Sequence, residues 1–152
     1  MAEGGEKFRH IVRMFDTDLE GHKAILFALT KLPGVSYSFS NAVVRVLGLD
    51  PLKPLGFLSS EEIKKIEDVL KSPDKYGIPP WLYNRRRDPV TGEDKHIVGP
   101  KVKLVEKMDI DRLKKMRCWR GVRHILGLKV RGQRTRTTGR KGRTVGYSKK
   151  KK

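Results

Sequence analysis

From Arg112 to Lys152 the chain carries seventeen Lys and Arg and not one Asp or Glu. No other feature constrains the fold so tightly. The residues before it, through Asp111, hold eighteen cations against seventeen acids, so the formal net charge of +18 lies almost wholly in the last third. A segment of this kind repels itself in any compact state. A dense polyanion would stabilise it, and nucleic acid fits best, because its phosphates are closely spaced and binding releases condensed counterions. An anionic membrane competes on charge alone. The segment lacks the aromatic or Leu-rich face of an interfacial helix, so no membrane partner is expected. A basic targeting signal usually spans about 5–8 residues, far fewer than this.

The compartment follows from small clues. Cys118 is the one cysteine, which excludes a disulfide framework within the chain and fits the reducing cytoplasm. The opening MAEGGEKFRH is mixed in charge and has no apolar core of a secretory signal. The longest apolar run, Ala24–Leu29, is far too short to span a bilayer.

Along the body the apolar spacing predicts a mainly α protein. HIVRMF, residues 10–15, reads as a strand or an extended arm, and Asp16–Gly21 as a turn. Ile25, Ala28, Leu29 and Leu32 then fall on one face of a helix, which Pro33-Gly34 stops. Phe39, Ala42, Val43, Val46 and Leu47 mark a second amphipathic helix, with Ser36 or Ser38 as its cap and Gly48 at its end. Ser59 and Glu62 have the spacing of a capping box before a third helix, whose stripe is Ile63, Ile66 and Leu70. The predicted organisation is a helical domain over 1–72 and a connector over 73–103 with room for a short hairpin. A basic helical segment follows over 104–127, weakened at Gly121, and then an extended tail over 128–152. In that tail the periodicity is gone, so it should be disordered in the free protein.

Three stretches suit RNA. The first is the Pro33-Gly34 turn between two helices, the layout of a helix–hairpin–helix module in which backbone N–H groups and a helix dipole face a phosphate. The usual second glycine is replaced here by Ser36. The second is Arg85, Arg86 and Arg87 beside Trp81 and Tyr83, since rings and guanidinium planes stack on unpaired bases. The third is the block from Arg112 onward. Arginine dominates it until the final lysines, offering paired phosphate contacts, while Thr135, Thr137 and Thr138 add hydroxyls. Gly132, Gly139 and Gly142 let the backbone bend. Catalytic readings find little support. The four histidines are scattered, Cys118 and His124 cannot hold zinc by themselves, and no phosphate-binding or dinucleotide motif is present. No cofactor or metal is expected, and the chain is read as a binding protein rather than an enzyme.

The segments FRHIVR, LPGV, KYGIPPWLYNRRRD, TGED and RLKKMRCWRGVRHILGLKVRGQRTRTTGR together resemble the small-subunit ribosomal protein thirteen family, in its archaeal and eukaryotic form. The eukaryotic counterpart carries the number eighteen. The likeness runs from about Phe8 to Tyr147, and the block Arg120–Arg140 is its most specific part. It implies a helical domain of the helix–two-turns–helix kind, then a long helix and an extended basic C-terminal tail. It implies a seat at the top of the small-subunit head on small-subunit rRNA, beside small-subunit protein nineteen. It further implies bridges to large-subunit rRNA and large-subunit protein five, with the tail approaching A- and P-site tRNA.

RNA contacts are accordingly expected at Arg85, Arg86, Arg87, Arg112, Lys115, Arg117, Arg120, Arg123 and His124. They continue through Lys129, Arg131, Gln133, Arg134, Thr135, Arg136, Thr137, Thr138, Arg140, Lys141 and Arg143. Lys149, Lys150, Lys151 and Lys152 should lie nearest tRNA. Family members commonly carry a second glycine and basic residues where this chain has Ser36-Tyr37-Ser38, so that turn should be held less by charge, or by stacking of Tyr37. The alternative is a DNA-binding or repair protein built on the same helix–two-turns–helix module.

Overall fold

The structure is a computed structural model that describes residues 8–139. Within them the order is β1 (Ile11–Met14), β2 (Thr17–Glu20), α1 (Ile25–Ala28), α2 (Tyr37–Val46), α3 (Ser60–Lys71), α4 (Lys101–Lys115) and α5 (Trp119–Ile125). The mainly helical class read from the apolar spacing is what the chain adopts. Its contacts divide it into two units, Met1–Leu104 and Val105–Lys152.

The first unit opens with an antiparallel hairpin in which Val12 pairs with Leu19 and Met14 with Thr17. Its two-residue turn places Phe15 and Asp16 at φ 45° and 56°. Positive φ at both positions matches the right-handed twist of the flanking strands. The expectation that Asp16–Gly21 is only a turn is therefore corrected, since Thr17–Glu20 form β2. The residues gave little sign of it. β2 has a single apolar side chain, Leu19, and the turn lacks the usual Asn-Gly or Asp-Gly pair. Leu19 nevertheless points inward with Val12 and Met14 and is buried with them.

α1 is a single turn that continues as a 3-10 turn through Lys31. The four residues expected to share its face, Ile25, Ala28, Leu29 and Leu32, are all buried. α2 is capped by Ser36, whose hydroxyl accepts from the Phe39 amide at 3.4 Å. Its buried face is Phe39, Ser40, Val43 and Val44, whereas Val46 is exposed, so the helix is rotated from the stripe that the spacing predicted. Ser40 explains the rotation. Its hydroxyl donates to the Leu26 carbonyl at 2.8 Å and fastens α2 to α1, a polar tie that a hydrophobic stripe does not reveal.

α3 begins with the expected capping box. The Ser59 hydroxyl accepts from the Glu62 amide at 3.1 Å, and the Glu62 carboxylate accepts from the Ser59 amide at 2.8 Å. Ile63, Ile66, Val69 and Leu70 complete the core. That core extends beyond the helices to Ile78, Tyr83 and Val98 of the connector. The connector closes as a loop rather than a ladder of strands, with one antiparallel bridge between Arg85 and Lys95. Asn84 supplements it, donating to the Ile97 carbonyl at 2.7 Å and accepting from the Ile97 amide at 2.9 Å.

The second unit, which takes α4 from Val105 onward, is built differently. No residue of α4 is buried, and Met116 just past it is exposed. The helix stops at Lys115, Arg117 turns to φ 50°, and Cys118 caps α5. The break thus precedes Gly121, the residue expected to be the weak point. Gly121 instead permits close approach: a Cβ there would lie 2.0 Å from the Leu113 carbonyl oxygen. Cys118 tightens the same bend, its sulfur accepting from the Gly121 amide at 3.4 Å and its thiol reaching the Leu113 carbonyl at 3.6 Å. From Gly127 to Gly139 the backbone runs in turns and bends.

Candidate nucleic-acid interface

The Pro33-Gly34 turn is built, but it is already occupied. Gly34 has φ 94°, and a Cβ on it would lie 2.2 Å from the Ile97 carbonyl oxygen. The Asn84 amide donates to the Gly34 carbonyl at 3.3 Å, and the Gly99 amide to the Pro33 carbonyl at 2.9 Å. The glycine thus serves a close approach by the connector, where a helix–hairpin–helix module would bring a phosphate. Ser36 fills the α2 cap with its own hydroxyl, which also lies 3.0 Å from that of Ser38. Tyr37 is half exposed and its ring lies 5.7 Å from that of Phe27.

The arginine triplet divides by role. Arg85 clamps Asp88 through Nε at 3.1 Å and a terminal nitrogen at 3.0 Å. Burial works to raise the Asp88 carboxyl, yet hydrogen bonds from Arg85, the Val90 amide and Thr91 hold it below the usual carboxylate range. Arg86 and Arg87 are exposed, and Arg87 sits at φ 49° with its amide donating to Asp94 at 2.6 Å. Trp81 is also exposed, so it is not a core residue of the first unit.

The second unit gathers most of the remaining expected contacts. Between Arg112 and Gly139 there are ten cations and no acid. Arg112 reaches Asp109 at 4.0 Å, and the neighbouring Lys114 reaches Asp111 at 3.2 Å. Lys115, Arg117, Arg120, Lys129, Arg131 and Arg134 are exposed with no acid partner among the described residues. Arg123 donates to the Lys129 carbonyl at 2.9 Å, drawing the segment after α5 back onto it. His124 is half buried at the end of α5.

A profile described as ribosomal protein S13/S18 matches residues 13–141. The chain belongs to this family. Its S13/S18 relatives include the small ribosomal subunit protein uS13 of Methanocaldococcus jannaschii, 51% identical over 146 residues, which are 96% of this chain and 97% of the relative. The uS13 protein of Nanoarchaeum equitans is 54% identical over 147 residues, 97% of this chain and 96% of the relative. That of Staphylothermus marinus is 50% identical over 145 residues, 95% and 96% respectively.

Within the matched segment, residues 120–139 are presented from α5 and the bends that follow it. Gln133 accepts from the Arg131 amide at 3.0 Å, and Thr138 donates to the Arg134 carbonyl at 2.7 Å. Thr135, Arg136 and Thr137 are exposed beside them, and Gly132 and Gly139 take φ 75° and 71°. Arg140, Lys141, Arg143 and Lys149–Lys152 lie outside the described residues. Among the described residues no group of His, Cys, Asp and Glu is placed to hold a metal ion, and no helix is long and apolar enough to cross a membrane. One exposed side chain was absent from the expected contacts. Trp119 stands between Arg117, Arg120 and Arg123. The mixing of ring and cation that singled out Trp81 in the sequence applies there equally.

Proposed function

We propose that the chain is a structural, non-enzymatic component of the small ribosomal subunit that binds small-subunit rRNA. The observation that carries this reading is the second unit, where exposed cations without acid partners are displayed on helices that bury almost nothing. A fold with little core of its own and a large positive potential gains order by neutralising phosphate. Membership of the S13/S18 family and the relatives' ribosomal names support the same assignment.

In finer detail, the protein sits at the top of the small-subunit head, facing the large subunit. The nearly neutral first unit carries the protein contacts, to small-subunit protein nineteen and to large-subunit protein five, with a further bridge to large-subunit rRNA. The cations of 112–143 bind small-subunit rRNA, and Lys149–Lys152 approach the tRNAs. Truncation after Gly127 is the decisive test. It removes roughly seven phosphate contacts and should flatten the log–log dependence of rRNA affinity on salt by about five to six units, at ~0.7–0.9 per phosphate neutralised. An unchanged slope would remove the tail from the interface.

A further inference from the structure

The geometry points to Trp119 as a base-stacking anchor, one that holds an unpaired RNA base against the cationic surface of the second unit. This rests on the RNA-binding reading above and adds the kind of RNA that is bound. The indole is 74% exposed, although it is the largest apolar side chain of its unit. Leaving so much ring in water is unfavourable, and among the described residues only the Arg123 guanidinium lies over it. The backbone that carries the ring is nevertheless held in place. Trp119 follows the Cys118 cap directly, and α5 is pressed onto the end of α4 at Gly121, where a methyl group would collide with the Leu113 carbonyl. With only two rotatable side-chain bonds, a Trp ring on an ordered bend loses little conformational entropy when it docks.

The surroundings identify the occupant. The Arg123 guanidinium lies 5.8 Å from the ring centroid, one helical turn on, and Arg117 and Arg120 flank the ring in sequence. A protein segment docking on this ring would have to neutralise a unit containing no acid from Arg112 onward. A nucleotide satisfies both needs at once, with its base against the indole and its phosphate against arginine. Only an unpaired base offers a free π-face, because bases within a duplex are already stacked. Charge alone does not distinguish loops from duplexes, whereas Trp119 gives the surface a means to do so.

The full-length chain and its Trp119→Ala and Trp119→Phe variants are titrated with a short stem-loop RNA and with a fully paired duplex of equal length, across a range of salt. Circular dichroism confirms that the variants fold. Trp119→Ala should lose roughly five- to a hundredfold in affinity for the stem-loop, the range for one stacked base. It should bind the duplex as the parent does and keep the parental salt slope, since no cation is removed. Trp119→Phe should retain most of the affinity but lose the part of the fluorescence quenching that the stem-loop causes in the parent. Equal binding of the stem-loop by Trp119→Ala and the parent overturns the inference while leaving salt-dependent RNA binding intact. An affinity loss of the same size on the duplex also overturns it. If the parent binds neither RNA, the RNA-binding reading fails and the anchor fails with it.

Discussion

At the scale of single residues, the most telling group is His96. Its ring stacks on Phe39 with centroids 3.7 Å apart, and its Nδ1 accepts from the Asn84 amide at 3.4 Å. The other nitrogen, Nε2, is buried without a partner among the described residues. Burial pushes the imidazole down from its ordinary 6.5 to about 4. A folded-state value below the unfolded one means that the unfolded chain takes up the proton first. The neutral ring therefore stabilises the fold fully above pH 6.5, and that contribution is lost as the pH falls toward 4. Urea unfolding of the full chain should show a decline over this window on the order of 2 kcal/mol, allowing for the partial exposure of the ring. His96→Phe keeps the stack and should flatten the profile between those two pH values. A variant as acid-sensitive as the parent there would show that another group titrates. None of this was legible in the sequence, where His96 is one of four scattered histidines; its state depends on Phe39, far away along the chain.

At the scale of elements, the sequence was most readable where a local rule settles the outcome. The Ser59–Glu62 box and the i, i+3, i+4 stripes of α1 and α3 are short-range signals, and each forms as expected. Readings failed where a contact outside the apolar repeat decides. β2 is specified by pairing with β1, α2 is turned by the hold of Ser40 on Leu26, and the α4–α5 break is shaped by Cys118 and Leu113. Glycine shows the same division. Gly48 ends α2 at φ 64° with open space beyond it, whereas Gly34 at φ 94° is pressed by the Ile97 carbonyl. Gly48→Ala should therefore cost only the left-handed backbone penalty, about 1–2 kcal/mol. Gly34→Ala must also displace backbone and should add roughly 1–3 kcal/mol from overpacking. Urea midpoints for the two variants would settle the comparison, and equal losses would mean that the connector yields easily at Ile97.

At the scale of the whole molecule, core and charge are kept apart. Every buried hydrophobic side chain among the described residues, from Val12 to Val98, belongs to the first unit. A fragment ending at Leu104 should consequently unfold in a single cooperative transition, with a urea midpoint close to that of the same transition in the full chain. It should also lose nearly all affinity for RNA. A fragment that fails to fold, or that still binds RNA tightly, would show that this separation is not functional. The charge split was visible from the order of residues alone, because counting acids along the chain requires no knowledge of contacts. The extent of the first unit was not, since the connector joins the core through Ile78, Tyr83 and Val98, which carry no periodicity.

The meeting of Gly121 with the Leu113 carbonyl has a consequence for how a partner is chosen. With no gap beneath the glycine, the elbow between the two helices cannot flex inward to suit whatever it touches. A side chain at Gly121 would therefore wedge the two helices apart, so Gly121→Ala should alter the contour that this elbow offers to a partner.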